Sequence, residues 1–340
     1  MAFADDLSRF GPGCPERVSR DEALAYCARL TAGHYENFSV VTRLTPPALR
    51  PAFRSVYAFC RWSDDLGDEL GDPERSLELL DWWRGELREM YRGHATHPVM
   101  IALRETVEHH GIPIDPFEAL ISAFEQDQSV TDYDSYDQLL DYCERSANPV
   151  GHLVLYVAGA YTEENARLSD ATCTALQLAN FWQDVARDLA IGRIYLPRED
   201  RERFGVTAAD LKGLRFTPAF AELMRFQVER TRGLFDEGRP LVRRVPRALA
   251  VDVDLFTRGG LAILDRIEAR RYDVLSMRPS LSKWTKVRLV ARAATAMTVA
   301  RLRARVAGRA ETGGEGVGAR PGDISGSGAR AVPPRSGSLP

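Results

Sequence analysis

The stretch Leu176–Pro197, LQLANFWQDVARDLAIGRIYLP, limits the choice of fold more than any other. Its spacing predicts a helix. Leu176, Leu178, Ala179, Phe181, Trp182, Val185 and Leu189 put apolar side chains around most of its circumference. A helix with so few solvent-facing positions needs neighbours on every side. Its polar residues are aligned: Gln177, Asn180, Asp184 and Asp188 follow at three- and four-residue steps and share one face. Buried carboxylates require a partner, and a cation is the simplest one. The plainer alternative is a solvated acidic face, with Arg187 as an ordinary surface charge.

The rest of the chain supplies helical neighbours. Residues 1–18, rich in Gly, Pro and charge, read as a loose arm. Ser19 is an N-cap candidate for a helix through Leu30. Prolines then mark helix starts: Ala48–Leu70, Pro73 through Arg92, Pro98 through His110, and Pro116 through Gln128. Ser135 or Asp137 caps a helix to Ala147, Asn148-Pro149 breaks it, and Val150–Tyr161 is short and apolar. Ser169 or Asp170 caps the central helix, and Gly192–Leu211 reads as a loop. Pro218–Val245, Pro246–Tyr272 and the basic, amphipathic Lys283–Val306 complete the helices. Residues 307–340 almost lack large apolar side chains and read as a disordered Gly/Ser/Pro/Arg-rich tail. No alternating β pattern and no repeat occurs. The expected fold class is all-α: one domain over residues 19–306, with one or two central helices covered on all sides.

Composition removes several function classes. A net charge of -3 is too small to argue for nucleic acid. Five scattered cysteines without a CxxC speak against a zinc site or a disulfide framework and for a reducing cytoplasm. The start MAFADDLSRF does not read as a signal peptide. No apolar run approaches the roughly 20 residues that span a bilayer. Peripheral contact with the inner membrane stays compatible with the sequence. His94, His97, His109 and His110 fall at helix ends and read as solvated caps rather than metal ligands.

A second polar stripe lies on Ala48–Leu70. Arg54, Tyr57, Arg61, Asp64 or Asp65, and Asp68 follow at helical steps, basic at one end and acidic at the other. Two helices with such carboxylates can face one another across a cavity and hold Mg²⁺, which prefers hard oxygen ligands. Such sites serve phosphate-bearing substrates, and Arg54, Arg61, Arg187 and Arg193 are well shaped for phosphate. A diphosphate with an apolar tail fits a polar end opening into an aromatic-lined cavity. A di-iron bundle would need His three residues after a carboxylate, and neither stripe has one. No Walker A sequence, helix-opening GxGxxG or GxSxG elbow is present. The non-enzymatic alternative is a helical interaction scaffold.

Arg61–Asp68 (RWSDDLGD), Asn180–Asp188 (NFWQDVARD) and Arg193–Pro197 (RIYLP) together resemble the squalene/phytoene synthase family, over about residues 20–290. His34–Phe38 (HYENF), Ser146–Gly151 (SANPVG) and Leu176–Asp188 resemble its hydroxysqualene synthase branch, which serves bacterial hopanoid pathways. The resemblance implies an isoprenoid synthase-type helical bundle with a central cavity. It implies conversion of presqualene diphosphate and water to hydroxysqualene and diphosphate, with Mg²⁺ and without NADPH. Asp64, Asp65, Asp68, Asp184 and Asp188 would hold the metal, supported by Asn180 and Gln177. Arg61 and Arg193 would bind diphosphate, while Phe38, Tyr57, Phe181 and Trp182 would line the cavity. Asn37, Glu36 or Glu144 would position the quenching water. Functional coupling to a presqualene diphosphate synthase follows from the same reading. The chain departs from condensing members at Tyr35–Phe38, at Glu144–Asn148 and at Gln183, where they commonly carry Arg. These departures favour a substrate with one diphosphate. A condensing squalene/phytoene-type synthase is the alternative within the family.

Overall fold

The structure, a computed structural model, describes residues 3–13, 16–33 and 46–281. All lie in one compact unit, Met1–Ala293; the second unit, Ala294–Pro340, falls outside them. The expected helix Lys283–Val306 and the expected tail lie outside the described residues.

Among the described residues there are thirteen α-helices and no strand. They are α1 (Phe3–Phe10), α2 (Arg20–Gly33), α3 (Arg50–Asp68), α4 (Pro73–Tyr91), α5 (Pro98–His110), α6 (Asp115–Gln126) and α7 (Tyr136–Ser146). Then come α8 (Asn148–Val157), α9 (Glu163–Ala190), α10 (Arg198–Arg203), α11 (Ala208–Lys212), α12 (Pro218–Gly238) and α13 (Arg247–Ala269). The starts follow the capping chemistry in the sequence. Asp72 accepts the N–H groups of Glu74 and Arg75 ahead of Pro73, and Ser135 accepts that of Gln138.

Several expectations are corrected. The arm is helical over Phe3–Phe10 because it has rings to dock on: Phe3 meets Trp62, Phe10 meets Tyr26, and buried Asp6 accepts the Tyr26 hydroxyl at 3.0 Å. The central helix starts not at Ser169 or Asp170 but after Thr162, whose hydroxyl accepts the Asn165 N–H. Ser169 is instead buried inside it. The Gly192–Leu211 loop contains α10 and α11. Pro218–Val245 ends early as α12, at Gly238, where Arg239–Arg243 tightens into a 3-10 turn. His97 is a cap but not a solvated one. It is buried among Trp62, Trp82 and Trp83, its Nδ1 accepts the Val99 N–H, and burial pushes its pKa down to about 3.

Each polar stripe lies on the spine of its own core. The first core gathers around α3, which packs against α2, α4, α5 and α6 and buries Phe59, Trp62 and Leu66. The second gathers around α9, which packs against α7, α12 and α13 and buries Leu178, Phe181, Trp182 and Val185. Helix α8 packs against both spines. Glycines let α9 be approached this closely. A Cβ on Gly151 of α8 would stand 2.3 Å from Ser169 Oγ, and one on Gly260 of α13 would stand 3.0 Å from Leu176 Cδ2 of α9 and 2.3 Å from the Phe235 ring of α12. The near-continuous apolar circumference of α9 is thus occupied, and its polar face is left for other work.

Candidate functional site

Helix α3 ends in the first acidic group. Arg61 stands at its centre: Nη1 donates to Asp64 at 3.0 Å, Nε to Asp65 Oδ2 at 3.0 Å, and Nη2 to Glu69 at 2.9 Å. The contacts with Asp64 and Asp65 are local, since residues three and four apart share a helical face, and that with Glu69 reaches two turns on, to the residue that closes the helix. Asp65 is buried and Asp68 exposed. Burial pushes the Asp65 carboxyl up to about 7, although the Arg61 charge opposes the shift. Tyr57, one turn earlier, is half-buried, and burial raises its phenol.

The second acidic group is the C-terminal half of α9. Gln177 is half-buried, Asn180 exposed, and Asp184 and Asp188 half-buried. Burial, followed by the neighbouring charge of Asp184, pushes Asp188 up to about 7. Asp184 is gripped by Arg278, through Nη2 at 2.9 Å and through Nε; Arg187 stands 3.7 Å away and is otherwise exposed. Trp182 turns away from this face. It is fully buried, and its Nε1 donates to Thr231 on α12 at 2.8 Å, so it belongs to the core rather than to a cavity lining. Phe181 stacks on Tyr195 at 3.8 Å.

Beyond α9 the chain turns back through Gly192, and a short pairing fixes its course. Ile194 N–H donates to Thr131 O at 2.7 Å, and Arg201 holds Asp132 at 2.5 Å. Arg193 is thereby aimed between the two acidic groups, with Nη2 3.3 Å from Asp68 Oδ1. Behind it lies Asp127 at the end of α6. This carboxylate accepts the Tyr142 hydroxyl at 2.9 Å and feels the charges of Arg193, Asp68 and Asp64, while burial pushes it up to about 6. Asp127, Tyr142 and Arg278 are therefore site residues that the sequence reading did not assign to the site. Glu144, expected to position water, is exposed on α7. Phe38, Asn37 and Glu36 lie outside the described residues.

The five expected metal ligands form two separate acidic groups, one on α3 and one on α9. Among the described residues, no three His, Cys, Asp or Glu side chains converge closely enough to hold a metal ion. The carboxylates are held by arginines instead: Asp64 and Asp65 by Arg61, Asp68 by Arg193, Asp184 by Arg278. The donor set nevertheless suits Mg²⁺. It consists of carboxylate oxygens, and Asp188 is desolvated beside a like charge, a situation that a hard cation relieves. The arrangement can do one thing well. It alternates fixed anions with guanidinium groups, the complement of a metal-bound diphosphate.

The sequence matches the squalene/phytoene synthase family over residues 31–285. A phytoene synthase of Arthrospira platensis is 33% identical over 309 residues, covering 85% of this chain and 96% of that protein. Among solved structures, squalene synthase HpnC from Alicyclobacillus acidocaldarius is 48% identical, with a TM-score of 0.72, covering 74% of this chain and 95% of that one. A dehydrosqualene synthase in complex with ligand shares the fold at 22% identity and a TM-score of 0.74, covering 82% and 98%.

Proposed function

The chain belongs to the squalene/phytoene synthase family, whose members are prenyltransferase-type enzymes acting on prenyl diphosphates, and from that premise we propose that it is a hydroxysqualene synthase of hopanoid biosynthesis. Its substrate is presqualene diphosphate. The carbon–oxygen bond to diphosphate breaks and the electron pair leaves with the diphosphate. The cyclopropylcarbinyl cation rearranges, water adds, and a proton is lost, giving hydroxysqualene.

One observation carries this reading over a condensing synthase. Gln183 stands where condensing relatives commonly place an Arg, yet its side chain is buried and donates to the Pro279 carbonyl. It contributes no charge to the acidic groups. A site with one fewer guanidinium suits one diphosphate better than two. The 48% identical relative is described as a squalene synthase, which favours the 30-carbon side of the family over phytoene.

Asp64, Asp68, Asn180, Asp184 and Asp188 would hold Mg²⁺, with Asp65 and Gln177 behind them. Bound there, the metal supplies charge neutralisation for the departing diphosphate. Arg61 and Arg193 orient the diphosphate oxygens, and Arg278 joins them. Tyr57 would face the cation; Phe38, Asn37 and Glu144 keep the roles that the resemblance implies, lining for the first and holding the quenching water for the other two. Among the described residues no helix is long and apolar enough to cross a membrane, and the product's greasiness makes peripheral membrane contact part of this proposal.

The test is incubation of purified protein with presqualene diphosphate and Mg²⁺, with and without NADPH. Hydroxysqualene formed equally in both is the expected result. Squalene formed only with NADPH refutes it, and turnover of farnesyl diphosphate alone establishes the condensing alternative. Full retention of activity in Asp64→Ala and Asp184→Ala would dismiss the aspartate site altogether.

A further inference from the structure

Consecutive residues of α9 hold consecutive residues of a distant segment. Gln183 Nε2 donates to the carbonyl of buried Pro279, and Asp184 receives the guanidinium of Arg278. The other end of that segment is fixed as well. Val274 and Leu275 are buried in the second core. Asp273 Oδ1 accepts the N–H groups of Leu275 at 3.2 Å and Ser276 at 3.0 Å, and Arg270 Nε donates to Asp273 O at 3.0 Å. Between these anchors only Ser276, Met277 and Arg278 are exposed. They form a short arch over the second acidic group.

A charged side chain on a free loop loses much of its binding energy to ordering. Here the free span is three residues, and the anchor beside Arg278 is a side-chain amide. Its acceptor is well chosen. Proline has no N–H, so its carbonyl is the only backbone handle at that position, and buried in the absence of a donor it would stay unsatisfied.

We propose that Gln183 is a positioning residue: by pinning Pro279 it holds the arch so that Arg278 stands over Asp184, from where its guanidinium passes to the diphosphate of the bound substrate. A guanidinium fork fits a carboxylate and a phosphate equally well, which makes that exchange short. The inference rests on the diphosphate reading given above. It also gives Gln183 a function of its own, where the sequence suggested only a missing arginine.

The test uses the full chain, with Mg²⁺ and inorganic pyrophosphate as the probe. Gln183→Met keeps length and helix propensity but has no donor. Gln183→Leu also lacks a donor but has a different shape, so agreement of the two variants assigns the loss to the donor rather than to packing. In both, hydrogen exchange at residues 276–281 is expected to quicken at least tenfold while α9 and α12 exchange as before. Pyrophosphate binding by calorimetry is expected to weaken about tenfold, equivalent to about 1.4 kcal/mol. In an Arg278→Gln background the same substitutions are expected to cost nothing further, because Gln183 acts through Arg278. Unchanged exchange and binding in both variants overturns the proposal, as does an equal further loss in the Arg278→Gln background. Failure of the unsubstituted protein to bind pyrophosphate with Mg²⁺ would instead remove the diphosphate reading, and this inference with it.

Discussion

Arg193 Nη2 stands 3.3 Å from Asp68 Oδ1, a contact between residues 125 apart in the chain. This ion pair ties the end of α3 to the turn after α9. Asp64 and Asp65 are held by Arg61 and Asp184 by Arg278, so this contact joins two acidic groups that are otherwise held separately.

Arg193 is expected to matter for its shape as well as its charge. Arg193→Lys keeps a cation but loses the planar fork, and its kcat/KM should fall about tenfold, roughly 1.4 kcal/mol. Arg193→Ala should fall about a hundredfold or more. Steady-state diphosphate release with presqualene diphosphate measures both. Equal activity of the lysine and native enzymes would show that a point charge suffices.

Metal affinity should depend on pH through Asp188. Its folded pKa is raised to about 7, first by burial and then by Asp184. Below about pH 7 a proton therefore occupies the oxygen that a cation needs, and apparent Mg²⁺ affinity falls as pH drops, by up to about tenfold per unit. Calorimetric Mg²⁺ titrations with pyrophosphate at pH 6, 7 and 8 read this directly. Asp188→Asn should bind more weakly at pH 8 and show a flatter profile.

Much of this architecture was readable in the sequence, and what was missed has identifiable causes. Helix α9 was legible because apolar residues ring it, and α3 because its charges keep helical spacing. The start of α9 was missed because Ser169 and Asp170 are good capping residues; in the fold Ser169 lies where Gly151 lets α8 approach, and Asp170 bonds His152 at 2.7 Å. Arg278 could not be found, since its partner Asp184 lies 94 residues away and no local pattern announces the closure. Asp127 was visible as a polar residue at a helix end, but its link to Tyr142 and Arg193 depends on how α6, α7 and the turn after α9 meet. Gln183 was noticed for its identity, whereas its direction follows from packing and is not legible in the sequence.

Asp252 on α13 should govern stability rather than turnover. It is 3% exposed, its Oδ1 has no hydrogen-bond partner, and burial alone raises its pKa from 3.8 to about 7. A carboxyl with a raised folded pKa binds its proton more tightly when folded. Its effect is thus least harmful below pH 3.8, and stability is lost as pH rises toward about 7. Asp252→Asn should remove that slope and stabilise the protein at pH 8 by ~2 kcal/mol, less than the full shift because the amide leaves its own N–H groups unpaired. Urea unfolding at pH 5 and pH 8 tests it; a native-like slope in the variant would assign the pH dependence elsewhere.

The contact of Gly260 with Phe235 offers a test of how tightly α9 is enclosed. An added Cβ would stand 2.3 Å from Phe235 Cζ and 3.0 Å from Leu176 Cδ2, and Phe235 is fully buried. Gly260→Ala gains about 1 kcal/mol of helix propensity. Overpacking of a rigid ring costs typically 1–3 kcal/mol and sometimes more. At a contact of 2.3 Å the clash should outweigh propensity, with a net loss of up to about 2 kcal/mol in urea unfolding. The decisive measurement is the pair. Phe235→Leu alone leaves a cavity and should destabilise. Combined with Gly260→Ala it gives the new methyl room, so the double variant should be more stable than the sum of the single losses by about 1 kcal/mol or more. Additive losses would mean that the strain is released elsewhere, through a shift of α13 along α9 and away from Leu176, the residue beside Gln177.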